Sequence, residues 1–322
     1  MRLPGSLIAL VAAVPLLAAC GGGVGSTDGR PVVVASFYPL QYIAERVAGE
    51  HAEVRNLTSP GAEPHDLELS VPQTAALSDA DLAFYEAGLQ PAVDEAIEQN
   101  GPEHVLDVTD VIELAPMNTD ASHDEGAEHA GESEAEHAEH AEDTGHPEHG
   151  DTDPHFWLDP ALMVEVAAQF RDEMTEIDPD HAADYRAGFD ELRHDLSALD
   201  GELEAGLADC RIDTVVVSHD AFGYLSKYGL KFKAINGLSP DAEPSPAHIA
   251  RLHDLIQSHG VTTVFSETLG SKQMSESIAG DLGIATAALD PIEGLSDATA
   301  EEDYLSLMQH NLAALRKANT CS

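Results

Sequence analysis

PDHAADYRAGFDELRHDLSALDGELEAGLA, residues 179–208, decides how this chain is laid out. Within it Tyr185, Phe189, Leu192, Leu196, Leu199, Leu203 and Leu207 recur at steps of three or four, one apolar stripe along a helix. A helix of that length runs roughly 45 Å, longer than the layer of one small domain needs. Short β-rich runs and helical patterns alternate on both sides of it, so it reads as a stiff connector between two lobes. The same stripe would also suit a coiled-coil dimer seam.

Upstream, strand character appears at residues 32–37, 53–58, 81–85 and 104–108. Helical patterns lie at 39–49, at 72–78, in a segment ending at Asn100, and at 161–176. Downstream, strands are expected at 213–217, 231–235, 261–265 and 284–289, with helices at 221–228, 246–258, 272–282 and 301–317. Such alternation implies parallel pairing through right-handed crossovers. The expected fold is α/β. Two lobes, residues 31–178 and 209–322, each carry a roughly four-stranded parallel sheet flanked by helices, and the long helix at 179–208 joins them.

Lys and Arg total 15 against 59 Asp and Glu, a formal charge of −44. That balance repels nucleic acid and draws in cations. The first residues are not part of the fold. Arg2 precedes an apolar run at 7–17, too short for a permanent membrane span, and Leu17-Ala18-Ala19-Cys20 follows. This resembles a bacterial lipoprotein signal, which implies cleavage after residue 19 and lipid on Cys20, so that residues 20–30 form a lipidated tether. A plain secretory signal is the competing reading. Two cysteines remain in an exported chain, Cys210 and Cys321, and the compartment favours their pairing as a disulfide.

Residues 118–153 break the alternation. They hold six histidines (His123, His129, His137, His140, His146 and His149), thirteen acids and no Lys or Arg. Apolar content is nearly all alanine, so a disordered loop is expected. Histidine-rich tracts suit weak collection of borderline metals; an insertion without a role is the alternative.

Ligand-capable residues follow the expected strands. His65 comes after the second, His155 after the loop leaving the fourth, His219 directly after the fifth and Asp290 directly after the eighth. Parallel α/β sheets bind ligands at the carboxyl ends of their strands, so a cleft between the lobes would gather all four. Three imidazoles and a carboxylate suit four-coordinate zinc. Glu63, Glu68, Asp159, Asp220 and Glu267 compete for the same edge, while Asp66, Asp159 and Asp220 would also serve as hydrogen-bond acceptors for ring nitrogens or as helix caps.

Four motifs in order carry a resemblance: Pro-Gly-Ala-Glu-Pro-His65-Asp, Asp-Pro-His155-Phe-Trp-Leu-Asp-Pro, Ser-His219-Asp-Ala-Phe-Gly-Tyr-Leu and Ala-Leu-Asp290-Pro-Ile. With Ser-Pro-Asp-Ala-Glu-Pro-Ser245, they are similar to the zinc-binding substrate-binding proteins of bacterial ABC importers over about residues 31–318. The resemblance implies metal held between two lobes by His65, His155 and His219. It leaves the fourth position among Asp290, water and another acid. Manganese-binding relatives place a carboxylate where His219 stands, so zinc is expected here. Cys210 and Cys321 do not occupy the positions of the family's best-known disulfide. The implied protein is no enzyme. It is a monomeric, lipid-anchored receptor on the outer face of the cell membrane that hands Zn²⁺ to an ABC permease and its ATPase subunits. A manganese receptor or adhesin-like protein of the same fold, and a zinc hydrolase with Glu267 as base, are the rivals.

Overall fold

The computed structural model describes residues 29–117, 152–238, 240 and 242–322. Cys20 and the six histidines of the acidic tract lie outside these residues.

The first lobe carries β1 (Val32–Ala35), β2 (Glu53–Asn56), β3 (Leu82–Tyr85) and β4 (Val105–Asp107) in the parallel order β2-β1-β3-β4. The second repeats the arrangement with β5 (Thr214–Val217), β6 (Lys231–Ala234), β7 (Thr263–Ser266) and β8 (Ala285–Ala288), in the order β6-β5-β7-β8. Helices α1 (Tyr38–Ala48), α2 (Val71–Ser78), α3 (Pro91–Asn100) and α4 (Pro160–Ile177) belong to the first lobe. Helices α6 (Pro246–His259), α7 (Gln273–Leu282) and α8 (Tyr304–Asn319) belong to the second, and α5 (Ala182–Leu207) joins the two. The helix expected at 221–228 is instead a 3₁₀ turn, Gly223–Tyr228, whose tighter winding suits a short connector.

Every member of the α5 stripe, from Tyr185 to Leu207, is buried. Its N-terminal part lies on α1 and α4 and its C-terminal part on α8, so the stripe is filled by the chain's own lobes and the expected connector is observed. Close approach to α1 depends on Gly188, where a β-carbon would stand 2.5 Å from the Val47 carbonyl oxygen.

Side-chain alternation in the central strands explains why the lobes are not independent. In β1, Val32 and Val34 face a core with Leu77 and Val93 of α2 and α3. In β5, Val216 faces Leu252 and Ile278 of α6 and α7. The opposite faces, Val33 and Ala35 in one lobe and Val215 and Val217 in the other, join a single large core with α1, α4, α5 and α8. Polar ties reinforce it: Lys227 pairs with Asp159 at 2.5 Å and with Asp200 at 2.9 Å. The cleft is therefore built on a common apolar floor. Among the described residues, no helix is long and apolar enough to cross a membrane. The structure also joins Cys210 to Cys321.

Candidate metal centre

Where the two sheets present their carboxyl ends, His65, His155, His219 and Glu293 converge. One donor atom of each lies within 4.8 Å of the other three. Among the described residues this is the one group of metal-ligating side chains so placed. The Nε2 atoms of His65, His155 and His219 stand 3.5, 3.3 and 3.4 Å from Glu293 Oε1. A tetrahedron with zinc–ligand bonds of about 2.05 Å has edges of about 3.3 Å. All three Nε2 atoms and both Glu293 oxygens are buried without a hydrogen-bond partner. Buried polar atoms are rarely left so, and a cation at the centre of the four would satisfy them together.

Local sequence explains how each imidazole is aimed. His155 follows Pro154, its Nδ1 at 2.7 Å and its backbone N–H at 3.0 Å from Asp153 Oδ1. His219, just past β5, has Nδ1 2.6 Å from Glu267 Oε1, which also accepts from Ser218 Oγ. A carboxylate at Nδ1 fixes the proton there and leaves the Nε2 lone pair for a metal. Among the described residues, no carboxylate stands on Nδ1 of His65. Asp153 is in turn held from the second lobe: Tyr224 donates to its carbonyl at 2.9 Å. A side chain at Gly223 would clash, since its β-carbon would lie 2.5 Å from Asp153 Oδ2.

This difference sets the electrostatics. Burial favours neutral imidazole, yet Asp153 and Glu293 raise His155 to about 9. His219 is likewise held well above its usual value against burial, by Glu267 and Glu293. His65, with Glu293 alone, is lowered by burial. Glu293 is held well below the carboxylate range, against its own burial, by the three surrounding imidazoles. Burial and then Glu293 push the neighbouring Glu63 up to about 8.

The structure brings together three of the four residues singled out from sequence; it does not bring Asp290 with them. Asp290 Oδ2 accepts from Thr268 Oγ1, and Oδ1 accepts from the Ile292 backbone N–H at 2.8 Å. Asn311 bonds both its N–H and its carbonyl, at 2.8 and 2.6 Å. The turn so built places Ile292 at φ 61°, an uncommon conformation for a β-branched residue, and delivers Glu293 to the cluster. Asp290 thus shapes the turn and Glu293 is the acid facing the imidazoles. A second acid three residues past the strand-end Asp290 was the signal for it in the sequence.

The competing residues have other partners or positions. Asp159 accepts from Ala161 N–H at 2.8 Å and caps α4. Glu63 Oε1 is 3.4 Å from the His65 amide. Asp220 is buried with its carboxyl raised to about 6, by burial and then by Asp153. Glu68 and Asp66 are exposed.

Comparison with known proteins matches the same span. The model of the family described as ZnuA, zinc-uptake complex component A, periplasmic, covers residues 33–318. The zinc-binding lipoprotein AdcA of Streptococcus pneumoniae is 33% identical over 293 residues, 90% of this chain and 56% of AdcA. The high-affinity zinc uptake system protein ZnuA of Bacillus subtilis is 31% identical over 319 residues, 96% of each. The crystal structure of Zn(II)-bound AdcA from S. pneumoniae superposes with a TM-score of 0.72 at 28% identity, over 90% of this chain and 58% of that one. The chain spans a little over half the length, 56%, of the first curated relatives it matches.

Proposed function

This chain belongs to the ZnuA family of zinc-uptake components, and from that premise we propose that it captures Zn²⁺ outside the membrane and delivers it to an ABC permease with its ATPase subunits. One observation carries the reading: four buried donor atoms without hydrogen-bond partners, supplied by both lobes, with the three imidazole nitrogens 3.3–3.5 Å from the Glu293 oxygen. His65, His155, His219 and Glu293 are the proposed ligands. Three imidazoles with one carboxylate favour zinc over manganese, which prefers an oxygen-rich site.

The same geometry supports a receptor over a hydrolase. Catalytic zinc keeps a position open for water, and here Glu293 fills the fourth corner. Glu267, the imagined base, is engaged by His219 and Ser218 instead. Lipid on Cys20, a place on the outer face of the membrane, a monomeric state and metal collection by the histidines at 118–153 complete the proposal. Pro116 and Thr152, which flank that tract, bridge each other, and Thr152 lines the cavity beside His65.

Calorimetric Zn²⁺ titration tests it. One tight site is expected, surviving deletion of residues 118–151 and disappearing with His155→Ala. Tight binding that vanishes with the deletion and survives His155→Ala would overturn the reading, as would a preference for Mn²⁺ in direct competition.

A further inference from the structure

We propose that the cavity beside His65 is the vestibule through which a hydrated divalent cation reaches the four-donor centre, with Glu86 the carboxylate that first captures it. The proposal rests on the zinc-receptor reading above.

Of the four ligands, His155, His219 and Glu293 have side chains at most 1% exposed, whereas His65 retains 8%. A cation can therefore approach with least rearrangement past His65. A cavity of about 120 Å³ lies on that side, lined by His65, Glu86, Asp66, Ala87, Thr152 and Pro154 among others. It offers several times the space that one water requires. Asp66 and Thr152 in its lining are exposed, so it communicates with the surface.

Glu86 directly follows β3, at the same carboxyl-end edge as the metal ligands. It is 1% exposed, and neither of its carboxyl oxygens has a hydrogen-bond partner. It takes no part in the four-donor centre, and a buried carboxyl with no partner requires a reason. Its charged neighbours are acids: Asp153, Asp107 and Asp94, which with burial hold its carboxyl well above the usual range. Of these carboxyls Asp153 is engaged by His155, whereas Glu86 has only acids among its charged neighbours and both of its oxygens unpartnered, a place that a cation would satisfy. A hydrated Zn²⁺ would displace the Glu86 carboxyl proton to solvent, be held there through its hydration shell, and then exchange water for the imidazole of His65.

Two substitutions test this, with free Zn²⁺ as the probe and association followed by competition with a chromophoric chelator. Glu86→Gln keeps the shape and removes the carboxyl that can release its proton to a cation. Ala87→Phe narrows the cavity while leaving Glu86 in place, and stands in for Glu86→Gln should that variant not fold. In both, zinc association is expected to slow about tenfold or more, dissociation to slow in step, and the equilibrium affinity to hardly move. Unchanged association in both folded variants would overturn the proposal. So would weaker affinity with unchanged association, which would make Glu86 a support of the centre rather than a station before it. Failure of the receptor reading is separable, because the wild-type chain would then show no tight equilibrium binding of zinc at all.

Discussion

Trp157 Nε1 donates a 2.7 Å hydrogen bond to the carbonyl oxygen of Pro291, 134 residues away. The bond ties the segment presenting His155 to the turn presenting Glu293. Trp157 is fully buried, its ring 5.2 Å from that of His155, and its own carbonyl accepts from Tyr304 at 2.5 Å. Two of the proposed ligands, from opposite lobes, thus share one rigid support. Trp157→Phe would remove the donor and leave a small void. Unfolding free energy should fall by about 2–4 kcal/mol, read by denaturant titration with circular dichroism, and zinc affinity should fall with it.

Glu293 and Asp290 separate a proposed ligand from the residue that positions it. Glu293→Gln removes the charged corner of the centre and should weaken zinc binding by more than 100-fold. Asp290→Ala leaves all four donors in place but dissolves the turn, so a loss of about 10- to 100-fold is expected. Competitive titration against a chelator measures both. Equal losses would mean that Asp290 touches the metal.

The metal-free protein should become less stable as pH rises through the neutral range. His155 is raised from its ordinary 6.5 to about 9 in the fold. A raised histidine contributes stability that is complete below pH 6.5 and lost as pH climbs to about 9. Its melting temperature should therefore decline across that window. Zinc requires the deprotonated ring, so affinity should increase over the same range with proton release. Calorimetry in buffers of different ionisation enthalpy counts those protons.

Cys210 and Cys321 are joined across 111 residues of sequence. They sit after the C-termini of α5 and α8, and the chain runs from Cys210 directly into the amino end of β5, away from the sheet edge that carries the ligands. Replacing both by serine should cost about 4–5 kcal/mol on the chain-entropy account and leave zinc affinity unchanged. Denaturation and metal titration of the same variant check the two halves of that statement.

Much of this was legible in the chain itself, because it rests on local periodicity. All eight strands and the long helix form where the β-rich runs and the apolar stripe placed them. The seven-residue stripe of α5 is buried throughout, since a face with that spacing has to be covered by something. His65, His155 and His219 were visible because the carboxyl ends of parallel strands converge wherever two such sheets face each other. Only the tertiary structure decided what covers the stripe: a core common to both lobes rather than a second chain. It alone also separated Asp290 from Glu293. Both are acids in one short turn, and their roles depend on Thr268, Asn311 and the positive φ of Ile292, which lie on different elements and meet only in the folded state. Residue type and spacing set which groups reach the cleft edge; the direction of a carboxylate there depends on hydrogen bonds to partners distant in sequence.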